Sequence, residues 1–159
     1  GLEINETGSS FVENARIKAL AVSELTGEWA LADDSGLCVD ALNGAPGIYS
    51  ARFAQTDLER IKRLLKEMAH FKNRNATFKS AICIADKGKI LLEVEESCHG
   101  LITNTPRGKE GFGYDPIFEV IELGKTFAEM GIDLKKKFGH RGRAFQSIKP
   151  GIKNLLKIS

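Results

Sequence analysis

Cysteine is scarce in this 159-residue chain, and Cys38, Cys83 and Cys98 make an odd set with no Cys-x-x-Cys spacing. That argues against a disulfide framework and a cysteine-built zinc site, and predicts three reduced thiols. Long apolar runs are missing as well. Nothing approaches the roughly 18 residues of a membrane-spanning helix, and no signal peptide opens the chain, so the expectation is a soluble, cytoplasmic protein with no membrane partner. A dominant charge is also lacking: 23 Lys and Arg oppose 21 Asp and Glu along the chain. There is no polycationic tail for nucleic acid. The only dense basic run, Lys135-Lys136-Lys137, reads by itself as a solvated face. No repeat, linker or low-complexity tract divides the sequence, which is long enough for a real core and is expected to form one domain over residues 1–159.

Helix and strand signals are abundant. Ser10-Phe11-Val12-Glu13 is a capping-box pattern, and Phe11, Ala15, Val22 and Leu25 follow at helical spacing until Gly27 supplies a stop. Trp29 to Ala32 and Leu37 to Leu42 read as strands on either side of the turn-like run Asp33-Asp34-Ser35-Gly36. Thr56-Asp57-Leu58-Glu59 is a second capping box, leading into Leu58, Ile61, Leu64, Leu65 and Met68 on one helical face. Residues 76–85 and 89–99 flank Asp86-Lys87-Gly88 as a long hairpin. A glycine-rich stretch from Gly108 to Gly113 precedes the strand-like Ile117-Phe118, and a last helix is expected from Gly142, ended or kinked at Pro150-Gly151. Helices mixed with hairpins indicate an α/β fold.

The acidic run carries the first chemical signal. Paired carboxylates at a strand end suit Mg²⁺, which binds through one or two carboxylates plus the phosphate oxygens of a substrate. Gly124-Lys125-Thr126 looks like the tail of a phosphate-binding P-loop, but Glu119 occupies the place of the required first glycine, so the segment reads as a turn.

Five ordered blocks then coincide: Glu6 to Ala15, Ala32 to Leu37, Gly44 to Arg52, Gly111 to Pro116 and Phe127-Ala128-Glu129, with His140-Arg141 following. Together they resemble the inosine triphosphate pyrophosphatase family over essentially the whole chain. The resemblance implies an elongated mixed sheet with flanking helices, a homodimer, and Mg²⁺-dependent hydrolysis of ITP, dITP and XTP to the monophosphate and pyrophosphate. It implies that Asp34 is the catalytic proton acceptor and a metal ligand, with Glu6 as the second metal-binding acid. It implies substrate contacts at Ser35, at Phe112, Gly113, Tyr114 and Asp115, and at Lys135, His140 and Arg141.

The residue chemistry agrees with that assignment. A triphosphate needs cations before water approaches an anionic phosphorus. Asp34 next to Asp33 could orient that water or take its proton, Asp33 otherwise supporting the turn. Phe112 reads either as a ring stacked on the purine or as a buried core ring. Three departures from the family pattern stand out: Gly139 replaces a serine before His140-Arg141, Lys136 replaces an asparagine after the lysine, and no strand with a Thr/Ser-Gly-Asn loop and lysine precedes Gly1. The expectation is therefore a pyrophosphatase domain lacking its amino-terminal segment. The alternatives are a non-catalytic nucleotide-binding or dimerisation module that has lost its phosphate loop, and an aspartyl-nucleophile phosphatase, which would want Asp-x-Asp.

Overall fold

The computed structural model describes residues 7–158. Its elements are α1 (Phe11–Thr26), β1 (Ala30–Val39), α2 (Asp57–Met68), β2 (Asn75–Asp86), β3 (Lys89–Ile102), β4 (Phe118–Val120), β5 (Lys125–Thr126), α3 (Ile132–Phe138) and α4 (His140–Ile158). The strands form one five-stranded antiparallel sheet in sequence order, so the expected α/β class holds. By its internal contacts the chain divides into two compact units. One takes the described residues up to Ser35, Lys79–Glu96 and those from His140 onward; the other takes Gly36–Phe78 and Ser97–Gly139.

In the first unit, Ser10 Oγ accepts the Glu13 N–H at 3.1 Å, while the Glu13 carboxylate accepts the Ser9 N–H at 2.7 Å, so α1 starts where its sequence signal lies. Gly27 ends it at φ +70, a conformation glycine adopts without a Cβ clash. Its buried stripe is Phe11, Ala15 and Ala19, continued by the polar Asn14 and Ser23; Leu25, expected there, is exposed. Ser23 Oγ donates to the Glu28 carbonyl and accepts the Lys87 N–H, which ties the helix end to the β2–β3 turn. Lys87 and Gly88 both have positive φ, as a two-residue hairpin turn demands. Ala144 and Ile148 of α4 pack on Ile82 and Ile84 of β2. Contrary to expectation, α4 begins at His140 and continues through Pro150. Proline removes one ladder donor and its ring crowds the carbonyl four residues back, yet the helix continues past it. A Cβ at the next residue, Gly151, would come within 2.9 Å of Leu92 Cδ1, so the missing side chain lets the helix lie close on β3.

The second unit is built around three rings. Phe78, Phe118 and Phe127 lie 4.6, 5.0 and 5.5 Å apart pairwise between centroids, next to Ile61, Leu64 and Met68 of α2. Leu58 faces solvent instead of joining that stripe. Arg74 donates to the carbonyls of Met68, Ile102 and Thr103, fastening the end of α2 to the end of β3 and to the residue just after it. Gly124 makes the expected turn at φ +62, although Lys125 and Thr126 go on to form β5.

The acidic run corrects the sequence reading most. Asp33-Asp34-Ser35-Gly36 is not a turn: β1 runs unbroken from Ala30 to Val39, and the real turn is Asp40–Leu42 with Asn43 at φ +55. Aspartate and glycine are depleted in strands, so propensity alone points to a turn; here side-chain partners hold the polar residues in the ladder.

Candidate active site

Because side chains alternate along a strand, Asp34 projects to one face of β1 while Asp33 and Ser35 project to the other. The adjacent carboxylates therefore do not converge. On one face the Asp34 Oδ1 atom lies 3.3 Å from Lys18 Nζ of α1, with the Asp34 side chain only 11% exposed. On the other, Arg141 Nε donates to Ser35 Oγ at 3.4 Å and lies 3.7 Å from Asp33 Oδ2, while Ser35 Oγ meets Ser80 Oγ of β2 at 3.1 Å. His140 is buried at the first turn of α4 beside Arg141. Asp33 thus supports an arginine instead of a turn.

Lys18 escaped the sequence reading. It follows Asn14 by four residues and Ala15 by three, the spacing of the buried face of α1, and a lysine on such a face signals an anion to be met. Glu6, the other expected metal ligand, lies outside the described residues. Among the described residues no three His, Cys, Asp or Glu side chains form a group that could hold a metal ion by themselves. Magnesium does not require one, since it completes its shell with substrate phosphates and water. The shielded, hard-oxygen carboxylate of Asp34, beside a cation that suits phosphate, fits that ion.

The second cluster gathers Phe112, Gly113, Tyr114, Asp115 and Lys135 in the other unit. Asp115 is 4% exposed, and its Oδ2 accepts from Lys135 Nζ at 2.5 Å and from the Phe112 N–H at 3.1 Å. Lys135 is therefore not part of a merely solvated face. Its ammonium also lies 4.8 Å from the centroid of the Phe112 ring, which is 57% exposed rather than buried in the core. An exposed ring over a fixed cation offers a flat surface to a planar ligand. Gly111, at φ +78, lies so close to Asp115 Oδ2 that any side chain would collide with it. Tyr114 is buried, its hydroxyl donates to the Ser50 carbonyl at 2.7 Å, and burial pushes its pKa up to about 12. It acts as a pillar for the loop. The glycine in place of the expected serine also has a local reason: Gly139 donates to the Lys135 carbonyl at 2.7 Å, and a Cβ there would sit 2.5 Å from that oxygen.

The Ham1 family model matches residues 1–151. The chain belongs to the Ham1 family. It is 60% identical over 156 residues to a dITP/XTP pyrophosphatase of Prochlorococcus marinus (strain NATL1A), covering 98% of this chain and 80% of that protein. A dITP/XTP pyrophosphatase of Nostoc sp. is 53% identical over 159 residues, with 99% and 81% covered. Among solved structures, a HAM1 protein from Coxiella burnetii superposes with a TM-score of 0.92 at 42% identity, over 96% of this chain and 81% of that one. For this Ham1 chain the sequence-level resemblance and the fold agree.

Proposed function

We propose that this protein is a nucleoside-triphosphate pyrophosphatase that hydrolyses dITP, ITP and XTP to the monophosphate and pyrophosphate, clearing them from the nucleotide pool. The observation that carries this reading is the shielded Asp34 carboxylate beside Lys18 in a Ham1 chain whose relatives bear the name dITP/XTP pyrophosphatase. Lys18 attracts the triphosphate and balances its charge. Asp34 accepts the proton of the attacking water as its oxygen adds to phosphorus, the α–β bridging P–O bond breaks, and pyrophosphate leaves with the electron pair. Asp34, together with Glu6, would hold Mg²⁺. When bound, the ion would supply further neutralisation of phosphate charge.

The base and sugar fall to Phe112, Gly113, Tyr114, Asp115 and Lys135, the ring stacking on the purine. Ser35, His140 and Arg141 complete the substrate contacts. Hypoxanthine and xanthine carry an oxygen where adenine carries an amino group, so Arg141, protonated His140 or a backbone N–H meets an acceptor in the first case and a donor in the second. Leaving such groups unpaired costs about 1–3 kcal/mol each, and sites built on them reject a wrong partner by up to about 10⁴-fold. The enzyme acts as a cytoplasmic homodimer. The dimer is supported by two exposed apolar side chains, Leu31 in the edge strand β1 and Trp29 just before it.

Steady-state kcat/KM for ITP, dITP, XTP and ATP tests the assignment. Strong preference for the first three is expected. Equal values for ITP and ATP would remove the base-reading role of His140 and Arg141.

A further inference from the structure

The ring expected to take the base hangs from a glycine. Phe112 is not anchored by burial, and Gly113 beside it sits at φ +61, a conformation from which glycine departs at little cost. Besides the Lys135 ammonium over its face, the direction of the ring is set by the hydrogen bonds of the peptide groups around it. The Phe112 N–H is held by Asp115, inside the loop itself. The Gly113 N–H is held from 56 residues away, by Asp57 Oδ2 at 2.9 Å.

Asp57 is well prepared for that task. It is the first residue of α2, directly after the N-cap Thr56, where a negative charge is favoured by the helix dipole. Its other oxygen, Oδ1, accepts from Arg60 Nη1 at 2.7 Å, one turn along the same helix. The carboxylate is thus fixed on both oxygens, one to a guanidinium and one to the loop. A partly exposed ion pair of this kind adds little to stability, so the geometry has another consequence: it orients the peptide between Phe112 and Gly113.

We propose that Asp57 is a positioning residue for base recognition, holding the Gly113 N–H so that the Phe112 ring stays presented to the purine. This rests on the reading of the Phe112 loop given above. Asp57 touches no substrate; without it the loop samples other orientations, and substrate binding carries the cost of ordering it.

The test compares Asp57→Ala, Asp57→Asn and Arg60→Ala with the wild type in steady-state hydrolysis of ITP and ATP, in thermal unfolding, and in amide hydrogen exchange at Gly113. Asp57→Ala should raise KM for ITP about tenfold and narrow the ITP-over-ATP ratio, with kcat changed less and the melting temperature almost unmoved. Asp57→Asn keeps an oxygen acceptor and should recover most of the loss, and Arg60→Ala, which loosens Oδ1 but leaves Oδ2 on the Gly113 N–H, should lower the ratio and the protection at Gly113 less than Asp57→Ala does. Exchange at Gly113 should be slow in the wild type and in Asp57→Asn, and fast in Asp57→Ala. Wild-type KM and ratio in Asp57→Ala, an unprotected Gly113 in the wild type, or Asp57→Asn failing as badly as Asp57→Ala would overturn the role. Wild-type protein that hydrolyses no purine triphosphate would overturn the reading of the loop itself, a result distinct from hydrolysis that ignores Asp57.

Discussion

Lys135→Met isolates the buried ion pair at the centre of the second cluster. The substitution keeps an unbranched apolar stem of similar length and removes only the ammonium that lies 2.5 Å from Asp115 Oδ2. Asp115 would then keep the Phe112 N–H but lose that cation, as a carboxylate with 5% of its side chain exposed. Breaking a fully buried pair by removing one partner costs about 3–5 kcal/mol. The lysine is 27% exposed, so water reaches its end of the pair and lowers the figure; about 2 kcal/mol is expected. For a domain of this size each kcal/mol moves the melting temperature by about 2–4 °C, giving a loss of about 4–8 °C. Asp115→Asn should cost less, since the ammonium left behind can turn to solvent. The double variant has neither a stranded charge nor a pair, so it should melt above Lys135→Met alone, and the cycle should report a coupling of about 1–2 kcal/mol. Thermal unfolding followed by circular dichroism at neutral pH measures all four proteins. Lys135→Met melting within about 1 °C of the wild type, or the double variant melting below it, would refute the description of this pair.

Two other outcomes follow from the same geometry. Asp34→Asn should leave the fold intact and lower turnover by about 10²-fold or more, because it removes the proton acceptor and a metal-binding charge together; near wild-type turnover by folded Asp34→Asn would end that role. The second concerns acid. Ser9 hydrogen bonds hold Glu13 below its ordinary value of 4.5, Arg16 does the same to Glu93, and the Thr126 N–H to Glu129. A carboxyl lowered in the folded state contributes stability that is complete above its unfolded value and is lost as pH falls through the folded one. The melting temperature should hold down to about pH 5 and fall progressively below about 4.5; a rise on acidification through that range would contradict these pairings.

The parts of the fold legible in the sequence are those governed by local chemistry. Ser10 and Thr56 carry their helix caps wherever they sit, Gly27 stops α1, and Lys87-Gly88 dictates a tight hairpin. What escaped the sequence depends on partners distant along the chain. Asp33-Asp34 reads as a turn until Lys18 and Arg141 appear as its counter-charges, and Lys135 reads as a solvated lysine until Asp115 is found beneath it. Leu58 and Leu25 have core spacing but lie exposed, since periodicity fixes a face and not the extent of its cover. Asp57 looked like the second residue of a capping box, and nothing local shows that its carboxylate reaches Gly113.

The reaction is defined by the bond that breaks. Incubation of the protein with dITP and Mg²⁺, followed by ³¹P NMR, should show dIMP and pyrophosphate appearing together in equal amounts, with no orthophosphate formed first and no turnover in excess chelator. Orthophosphate and dIDP as the first products, or full activity without the metal, would contradict the account.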